Sequence, residues 1–413
     1  MKATIERANL LRSLGHVQSV VERRNTIPIL SNVLIEAQSD GSMRLMATDL
    51  DLQINETLEA VSVEVAGSTT VSAHTLFDIV RKLPEGAQVQ IELAADGQQV
   101  TVKAGRSRFA LATLPKEDFP AIHAGDLAHK FPLSAADLKG LIDRTKFAIS
   151  TEETRYYLNG IYVHAYAAGK QTSLRAVATD GHRLARVEMP LPEGAEGIPG
   201  VIVPRKMVNE VRKLIEDFDG AVDVSLSDSR IRFAFADVVL TSKLIDGSFP
   251  DYQRVIPTAN DKVLEVDRKE FRDAVDRVST ISSEKSRAVK LSLKPGMLTL
   301  SATSAENGSA SEEIEVKYDG QAMEIGFNSK YLLDVADEIE GEGLELKLAD
   351  SVAPTLLRDM ADAQALYVLM PMRVAIPSAA ETPEAETPTG VAQSDLRMFR
   401  EQQLSHVTAA QWN

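Results

Sequence analysis

Two short stretches hold acidic and imidazole groups close enough to suggest chemistry. One is Ala47-Thr48-Asp49-Leu50-Asp51-Leu52. The other is Ala178-Thr179-Asp180-Gly181-His182-Arg183-Leu184. A carboxylate two residues from a histidine could serve acid–base or metal work. The rest of the sequence does not supply the partners that such work needs. The seven histidines are scattered with no HExxH pair, and there is no P-loop, dinucleotide fingerprint or nucleophile elbow. The chain has no cysteine, which excludes disulfides, zinc ribbons, iron–sulfur clusters and thiol nucleophiles. Asp49 and Asp51 alternate with Leu50 and Leu52 as the polar face of a strand does, and Thr-Asp-Gly alone reads as a turn. The expectation is a binding protein with no catalytic residue, metal or cofactor.

The second chemistry is contact with phosphate. Basic residues cluster on segments with helical periodicity. Arg7 and Arg12 are followed by Arg23 and Arg24. Further along come Arg81 and Lys82, then Lys139, Arg144 and Lys146, then Arg205, Lys206, Arg212 and Lys213, and last Arg268, Lys269, Arg272 and Arg277. A charged helix face is usually only a solvated face. Recurrence at matching places is what favours a function. No segment carries a base-reading motif, so the contact expected is with the sugar–phosphate backbone.

The elements that carry these residues repeat three times. Amphipathic helices are predicted over residues 5–21, 133–149 and 266–281, with apolar positions such as Leu10, Leu14 and Val17 at helical spacing. A strand then ends in Ala47-Thr48-Asp49, Ala178-Thr179-Asp180 or Ala302-Thr303-Ser304. A second helix follows over 72–83, 204–217 and 328–340, and Val80-Arg81-Lys82-Leu83 recurs as Val211-Arg212-Lys213-Leu214. Strands such as Val100–Val102 and Ile231–Phe235 close each unit. The reading is an α+β fold of three similar domains, 1–128, 129–252 and 253–374, each long enough to bury a core.

Composition sets the limits. The chain has 413 residues and a formal net charge of −15. That balance taken alone argues against nucleic acid, but an acidic total is compatible with one basic surface. Charges interrupt the N-terminal segment, and no stretch reaches the ~18–20 apolar residues of a membrane span. A cytoplasmic protein with no membrane partner is expected.

Together these residues resemble one family, the bacterial DNA polymerase III beta subunit or sliding clamp, over about residues 1–374. The carriers are Val21-Glu22-Arg23-Arg24-Asn25-Thr26-Ile27-Pro28-Ile29-Leu30, Arg155-Tyr156-Tyr157-Leu158-Asn159-Gly160, Thr179-Asp180-Gly181-His182-Arg183-Leu184, Phe249-Pro250-Asp251-Tyr252 with Arg254-Val255, and Met370-Pro371-Met372-Arg373. The resemblance implies a DNA-clamp fold: a head-to-tail homodimer ring, helices lining the hole and antiparallel sheets outside. It implies a processivity factor that encircles duplex DNA without sequence preference and tethers polymerases. It places Arg24, Arg81, Arg205, Lys206 and Tyr331 toward DNA. Glu152 stands where a polar, DNA-proximal residue is expected and is left out of that set. The resemblance also implies a dimer interface at Phe109 and Leu111 against Thr280 and Ile281, with Thr280 more polar than the pattern expects.

A partner-peptide pocket between the second and third domains is implied as well. It takes Gln-x-x-Leu/Met-x-Phe peptides from polymerase III subunits, the clamp loader, other polymerases and repair factors. The matching residues are Leu158, Thr179, Gly181, His182, Arg183, Leu184, Pro250, Arg254, Val255, Val368, Met370, Pro371, Met372 and Arg373. Leucine, valine and methionine make an adaptable apolar slot.

The family pattern stops near Val374 and the chain continues for 39 residues. Residues 375–392, rich in Pro, Glu, Thr and Ala, have a flexible-linker composition. Residues 393–413 follow, with Gln393, Leu396 and Phe399 at anchor-like places of a clamp-binding peptide. The rival to a clamp is a multidomain interaction scaffold that does not encircle DNA.

Overall fold

The computed structural model describes residues 1–123 and 125–374. Among the described residues, six α-helices each follow directly on a strand. Lys2–Glu6 leads into α1 (Arg7–Gln18), Gly67–Ser72 into α2 (Ala73–Lys82), and His129–Ser134 into α3 (Ala135–Asp143). Val201–Pro204 leads into α4 (Arg205–Leu214), Lys262–Asp267 into α5 (Arg268–Ser279), and Met323–Asn328 into α6 (Ser329–Glu338). All six lie within the predicted spans but are shorter. The first residues of the spans belong to the incoming strands, and the chain turns sharply into each helix. Ser72, Ser134 and Asp267 cap three of these starts by accepting from the N–H of Thr75, Asp137 and Glu270. Such a cap contributes about 1 kcal/mol by satisfying an N–H that has no partner within the helix.

Helical spacing buries one stripe of each helix. Leu10, Leu14 and Val17 of α1 are fully buried, as are Leu76 and Val80 of α2, and α1 packs beside α2. Leu138, Leu141 and Ile142 play the same part in α3, and Phe271, Val275 and Val278 in α5. Burying each such side chain stabilises the fold by about 1.5–3 kcal/mol.

The chain packs as two compact units. One comprises Met1–Gly247 with Asp334–Glu345 and Leu357–Leu369. The other comprises Ser248–Leu333 with Leu346–Leu356 and the described residues from Met370 on. Three sequence repeats give two packing units because strands from different repeats share sheets. In the first unit an eight-stranded sheet joins four strands of the second repeat to four of the first. Its seam is Val238–Lys243 antiparallel to Leu52–Glu59, with Ser242 opposite Leu52. Arg183–Pro190 pairs in the same way with Asp362–Leu369, placing Leu184 opposite Val368. A five-stranded sheet, also in the first unit, ends on the strand Ser107–Ala112. In the second unit, a four-stranded sheet ends on Gly308–Glu315.

Candidate functional site

The strands that form the two seams each leave a turn built from the recurring Ala-Thr-Asp sequence. In the first turn, Thr48 Oγ1 donates to the Leu52 carbonyl (2.9 Å) and accepts from the Leu50 N–H (3.1 Å). Asp49 Oδ1 accepts from the N–H groups of Asp51 (3.0 Å) and Leu52 (2.7 Å). The second turn repeats this pattern. Thr179 Oγ1 donates to the Arg183 carbonyl (2.7 Å) and accepts from the Gly181 N–H (3.2 Å), and Asp180 Oδ1 accepts from His182 and Arg183 at 2.9 and 3.0 Å. In the third repeat Ser304 takes the aspartate's place and its Oγ accepts from Glu306 and Asn307. These side chains satisfy backbone donors that a tight turn would leave open. Asp49 and Asp180 are therefore structural acids.

Each turn aspartate spends its second oxygen on a cation. Asp49 Oδ2 lies 2.5 Å from Lys206 Nζ, which also donates to the Val20 carbonyl (3.1 Å) and to Glu22. Burial pulls the Lys206 pKa down, but the hydrogen bonds to Asp49 and Glu22 outweigh it and hold the ammonium above its ordinary range. Asp180 Oδ2 accepts from Arg183 Nε at 3.2 Å. Arg183 also donates to Asp334 Oδ2 (2.5 Å) and to the Phe147 carbonyl (2.7 Å), and its side chain is 7% exposed.

Seven of the expected peptide residues lie in the first unit, six of them at the second turn or its seam, with Leu158 ending the short 3-10 helix Tyr156–Leu158. Leu158 is fully buried, Leu184 and Val368 are buried opposite each other, His182 is exposed, and Thr179, Gly181 and Arg183 make the turn. Gly181 has φ +87°, and a Cβ there would stand 2.5 Å from Arg155 Nη1. Arg155 donates to the Asp180 carbonyl (3.0 Å) and pairs with Glu152 at 2.8 Å. Sequence reasoning missed Arg155; the signal available was the glycine, which leaves room for it. The remaining seven residues fall in the second unit. Pro250 is partly buried, Val255 lies on the short 3-10 helix Tyr252–Val255, and Arg254 on that helix is exposed and pairs with Asp251 (3.0 Å). Met370, Pro371 and Met372 are partly buried and Arg373 is exposed; Met372 N donates to the Gly326 carbonyl at 2.7 Å.

The expected DNA residues divide by their environment. Arg24 is exposed. Arg81 is exposed and pairs with Asp78 at 3.1 Å. Arg205 is the first residue of α4 and Tyr331 sits half-buried on α6. Lys206 is the exception, because two carboxylates already neutralise it. Other recurring basic residues also have structural work. Arg7 donates to the carbonyls of Val80 (3.0 Å) and Arg81 (2.8 Å) at the end of α2. Lys139 donates to the Glu216 carbonyl at 2.7 Å, just past α4. Arg212 grips both oxygens of Asp143 at 2.7 and 3.0 Å. Recurrence of basic residues thus reflects helix ends and ion pairs as well as any phosphate surface.

Phe109 and Leu111 alternate as the half-buried face of the edge strand Ser107–Ala112. Thr280 and Ile281 follow α5, where Thr280 Oγ1 donates to the Asp276 carbonyl at 3.3 Å. Gln393, Leu396 and Phe399 lie outside the described residues.

Comparison with known proteins settles what these turns and edges belong to. The chain matches three domain families in succession: DNA polymerase III beta subunit N-terminal domain over residues 1–123, central domain over 132–251 and C-terminal domain over 253–373. The beta sliding clamp of Caulobacter vibrioides is 55% identical over 374 residues, which are 91% of this chain and 100% of the relative. The chain belongs to the DNA polymerase III beta subunit family. The Escherichia coli K12 beta sliding clamp is 40% identical over 376 residues, covering 91% of this chain and 100% of that protein. A solved DnaN sliding clamp from Bartonella birtlesii, bound to griselimycin, is 51% identical with a TM-score of 0.87, covering 91% of this chain and 100% of that one. A Caulobacter crescentus beta clamp is 55% identical with a TM-score of 0.86, at 91% and 100% coverage.

Membership gives three clamp-fold domains of helices and antiparallel sheets, and a DNA polymerase processivity factor that is not an enzyme. The acid–base reading of Asp49, Asp51, Asp180 and His182 ends there, consistent with the turn-building roles of Asp49 and Asp180. The interaction scaffold without DNA is not favoured.

Proposed function

We propose that two copies close head to tail into a ring around duplex DNA. The observation that carries this reading is a pair of open sheet edges of opposite charge. The edge strand Ser107–Ala112 includes exposed Arg108 and follows exposed Arg106, around half-buried Phe109 and Leu111. The edge strand Gly308–Glu315 carries Glu312, Glu313 and Glu315. An open edge presents unpaired N–H and C=O groups to a partner strand, and complementary charge selects which edge docks. Two identical heterologous contacts related by a closing rotation make a finite ring. Ile281 completes the apolar part of the contact with Phe109 and Leu111, with Thr280 beside it. The test is charge reversal. Arg108→Glu should shift sedimentation from dimer toward monomer at micromolar concentration, and adding Glu313→Arg should restore the dimer. A dimer unchanged by Arg108→Glu counts against this interface.

Inside the ring, Arg24, Arg81 and Arg205 meet phosphates, with Tyr331 beside them and Lys206 a weaker contributor. Contacts of this kind bind without sequence preference and permit sliding. Partners from the replication machinery, the clamp loader and repair polymerases insert Gln-x-x-Leu/Met-x-Phe peptides at the turn residues Thr179–Leu184. Leu158 and Val368 of the same unit go with them, and the family pattern also assigns Pro250, Arg254, Val255 and Met370–Arg373 to peptide binding. The compartment is the cytoplasm.

The extension 375–413 has no counterpart in relatives whose full length matches the first part of the chain. We read Gln393, Leu396 and Phe399 as an internal competitor for the same pocket. A tether with the length and composition of residues 375–392, which lie outside the described residues, reaches about 25 Å r.m.s., and tethering gives an effective concentration near the millimolar range. Deleting 375–413 should tighten binding of a partner peptide; unchanged affinity removes the idea.

A further inference from the structure

In the eight-stranded sheet of the first unit that contains the Ser242–Leu52 seam, the strands His129–Ser134, Ala221–Leu226, Arg230–Phe235 and Val238–Lys243 lie side by side. Alternation of side chains gives the two faces different work. Phe131, Val224, Phe233 and Leu240 form one cross-strand row and are all buried. The row next to it, on the opposite face, is Lys130, Ser225, Arg232 and Thr241. Two cations thus stand on either side of a serine hydroxyl. With strands about 4.8 Å apart, their backbones are separated by about 10 Å, a gap that two long side chains can close from both sides. Lys130, Ser225 and Arg232 all line one open cleft of about 440 Å³.

The groups in this row have unused bonding capacity. Ser225 is 5% exposed and Thr241 6%, yet neither hydroxyl makes a hydrogen bond among the described residues. Buried polar groups normally have a partner. Arg232 is half-buried, and among the described residues neither it nor Lys130 has a carboxylate within ion-pair distance. Arg144, Arg175 and Arg212 of the same unit are all paired. A guanidinium fork, an ammonium and a hydroxyl together suit a tetrahedral oxyanion, which accepts from several directions at once. The following row on this face is Pro132, Asp223, Ala234 and Val239, and it lines the same cleft. Its apolar members offer a surface for carbon, and Asp223 repels a ligand that is anionic along its whole length. We infer that this cleft binds a phosphate monoester, with the phosphoryl group between Arg232 and Lys130 over Ser225 and the organic body on Pro132, Ala234 and Val239. The site needs neither the ring nor the peptide turn.

The experiment titrates the full chain with phenyl phosphate by isothermal calorimetry, with inorganic phosphate, benzoate and phenol alongside. Phenyl phosphate should bind at one site per chain. Inorganic phosphate should bind more weakly because it lacks the apolar body, benzoate more weakly because it lacks the tetrahedral head, and phenol not at all. Arg232→Gln should weaken phenyl phosphate about ten-fold or more, the effect of losing charge-assisted hydrogen bonds. Lys130→Gln and Ser225→Ala should each weaken it about three- to ten-fold. Lys170→Gln, at an exposed hairpin tip outside the cleft, should change nothing. Thermal melts without ligand confirm that each variant is folded, and Lys130, an exposed residue on the first strand of the sheet, keeps the test open if Arg232→Gln fails to fold. Phenyl phosphate bound by Arg232→Gln and Lys130→Gln as tightly as by the unaltered chain would overturn the inference, since the phosphate would then sit elsewhere. So would an unaltered chain that takes up no phenyl phosphate at millimolar concentration. Benzoate bound as tightly as phenyl phosphate would overturn the assignment of a phosphate ligand.

Discussion

The turns at Thr48–Leu52 and Thr179–Leu184 share every hydrogen bond that closes them, yet they are finished with different chemistry. At the left-handed position the first has Leu50 (φ +80°) and the second Gly181 (φ +87°). At the start of the outgoing strand the first has buried Leu52 and the second buried Arg183. The first turn borrows its cation, Lys206, from α4. The second supplies its own and sends it to Asp334 on α6. The backbone-bonding Thr and Asp fix the repeated shape. The residues that differ give each copy its own surroundings. A glycine with room for Arg155, an exposed imidazole and a self-contained brace belong only to the second.

The largest effect that could break this comparison comes from the two aspartates. Asp180→Ala and Asp49→Ala each remove two turn hydrogen bonds and one of the two carboxylates that hold the cation. Each should cost about 2–3 kcal/mol of unfolding free energy, read by denaturant titration. Only Asp180→Ala should also abolish peptide binding. Equal loss of binding in both variants would show that the turns are not specialised.

Exchanging the left-handed residues comes next. Gly181→Leu adds a Cβ into Arg155 and a disfavoured backbone, and should destabilise by about 2–3 kcal/mol. Leu50→Gly relieves one strain and adds chain entropy, and should change stability by less than about 1 kcal/mol. A large cost for Leu50→Gly would mean that the leucine side chain has a packing role the comparison omits.

A smaller contrast separates the two kinds of basic residue. Arg81→Ala should lower the salt-dependence slope of DNA binding by about 1 with little change in melting temperature. Lys206→Ala should do the reverse, lowering the melting temperature and leaving the slope nearly intact. A full unit of slope lost in Lys206→Ala would place its ammonium on phosphate after all.

A pH-dependent effect concerns Glu338 on α6. Burial, then the nearby Asp143 charge, pushes its pKa from 4.5 up to about 7, with Asp337 and Asp334 adding and Lys146 opposing. The folded state thus holds this proton more tightly than the unfolded state. The contribution to stability is fully present below about 4.5 and is lost as pH rises through about 7. Glu338→Gln should raise the melting temperature at pH 8 and leave it nearly unchanged at pH 5; an equal gain at both would contradict the shift.

Much of this architecture is legible in the sequence because local signals agree. Apolar spacing marks the three opening helices, and Ala-Thr-Asp marks two of the strand ends. The seams are not legible, because Ser242 meets Leu52 and Leu184 meets Val368 across long stretches of chain, where register depends on tertiary packing. The basic residues are only partly legible. Composition cannot distinguish Arg7, which caps α2, from Arg24, which faces solvent. Of the candidate site, the turn residues are readable from their sequence, whereas Arg155 and Asp334 become visible only through the atoms they support.

The central claim is topological, and retention on DNA tests it most directly. The protein is loaded by a compatible clamp loader onto a nicked circular duplex, which is then linearised. A closed ring should stay on the circle and run off the linear form within the dead time of a gel-filtration separation. Equal retention on circular and linear DNA would contradict a ring and indicate ordinary binding.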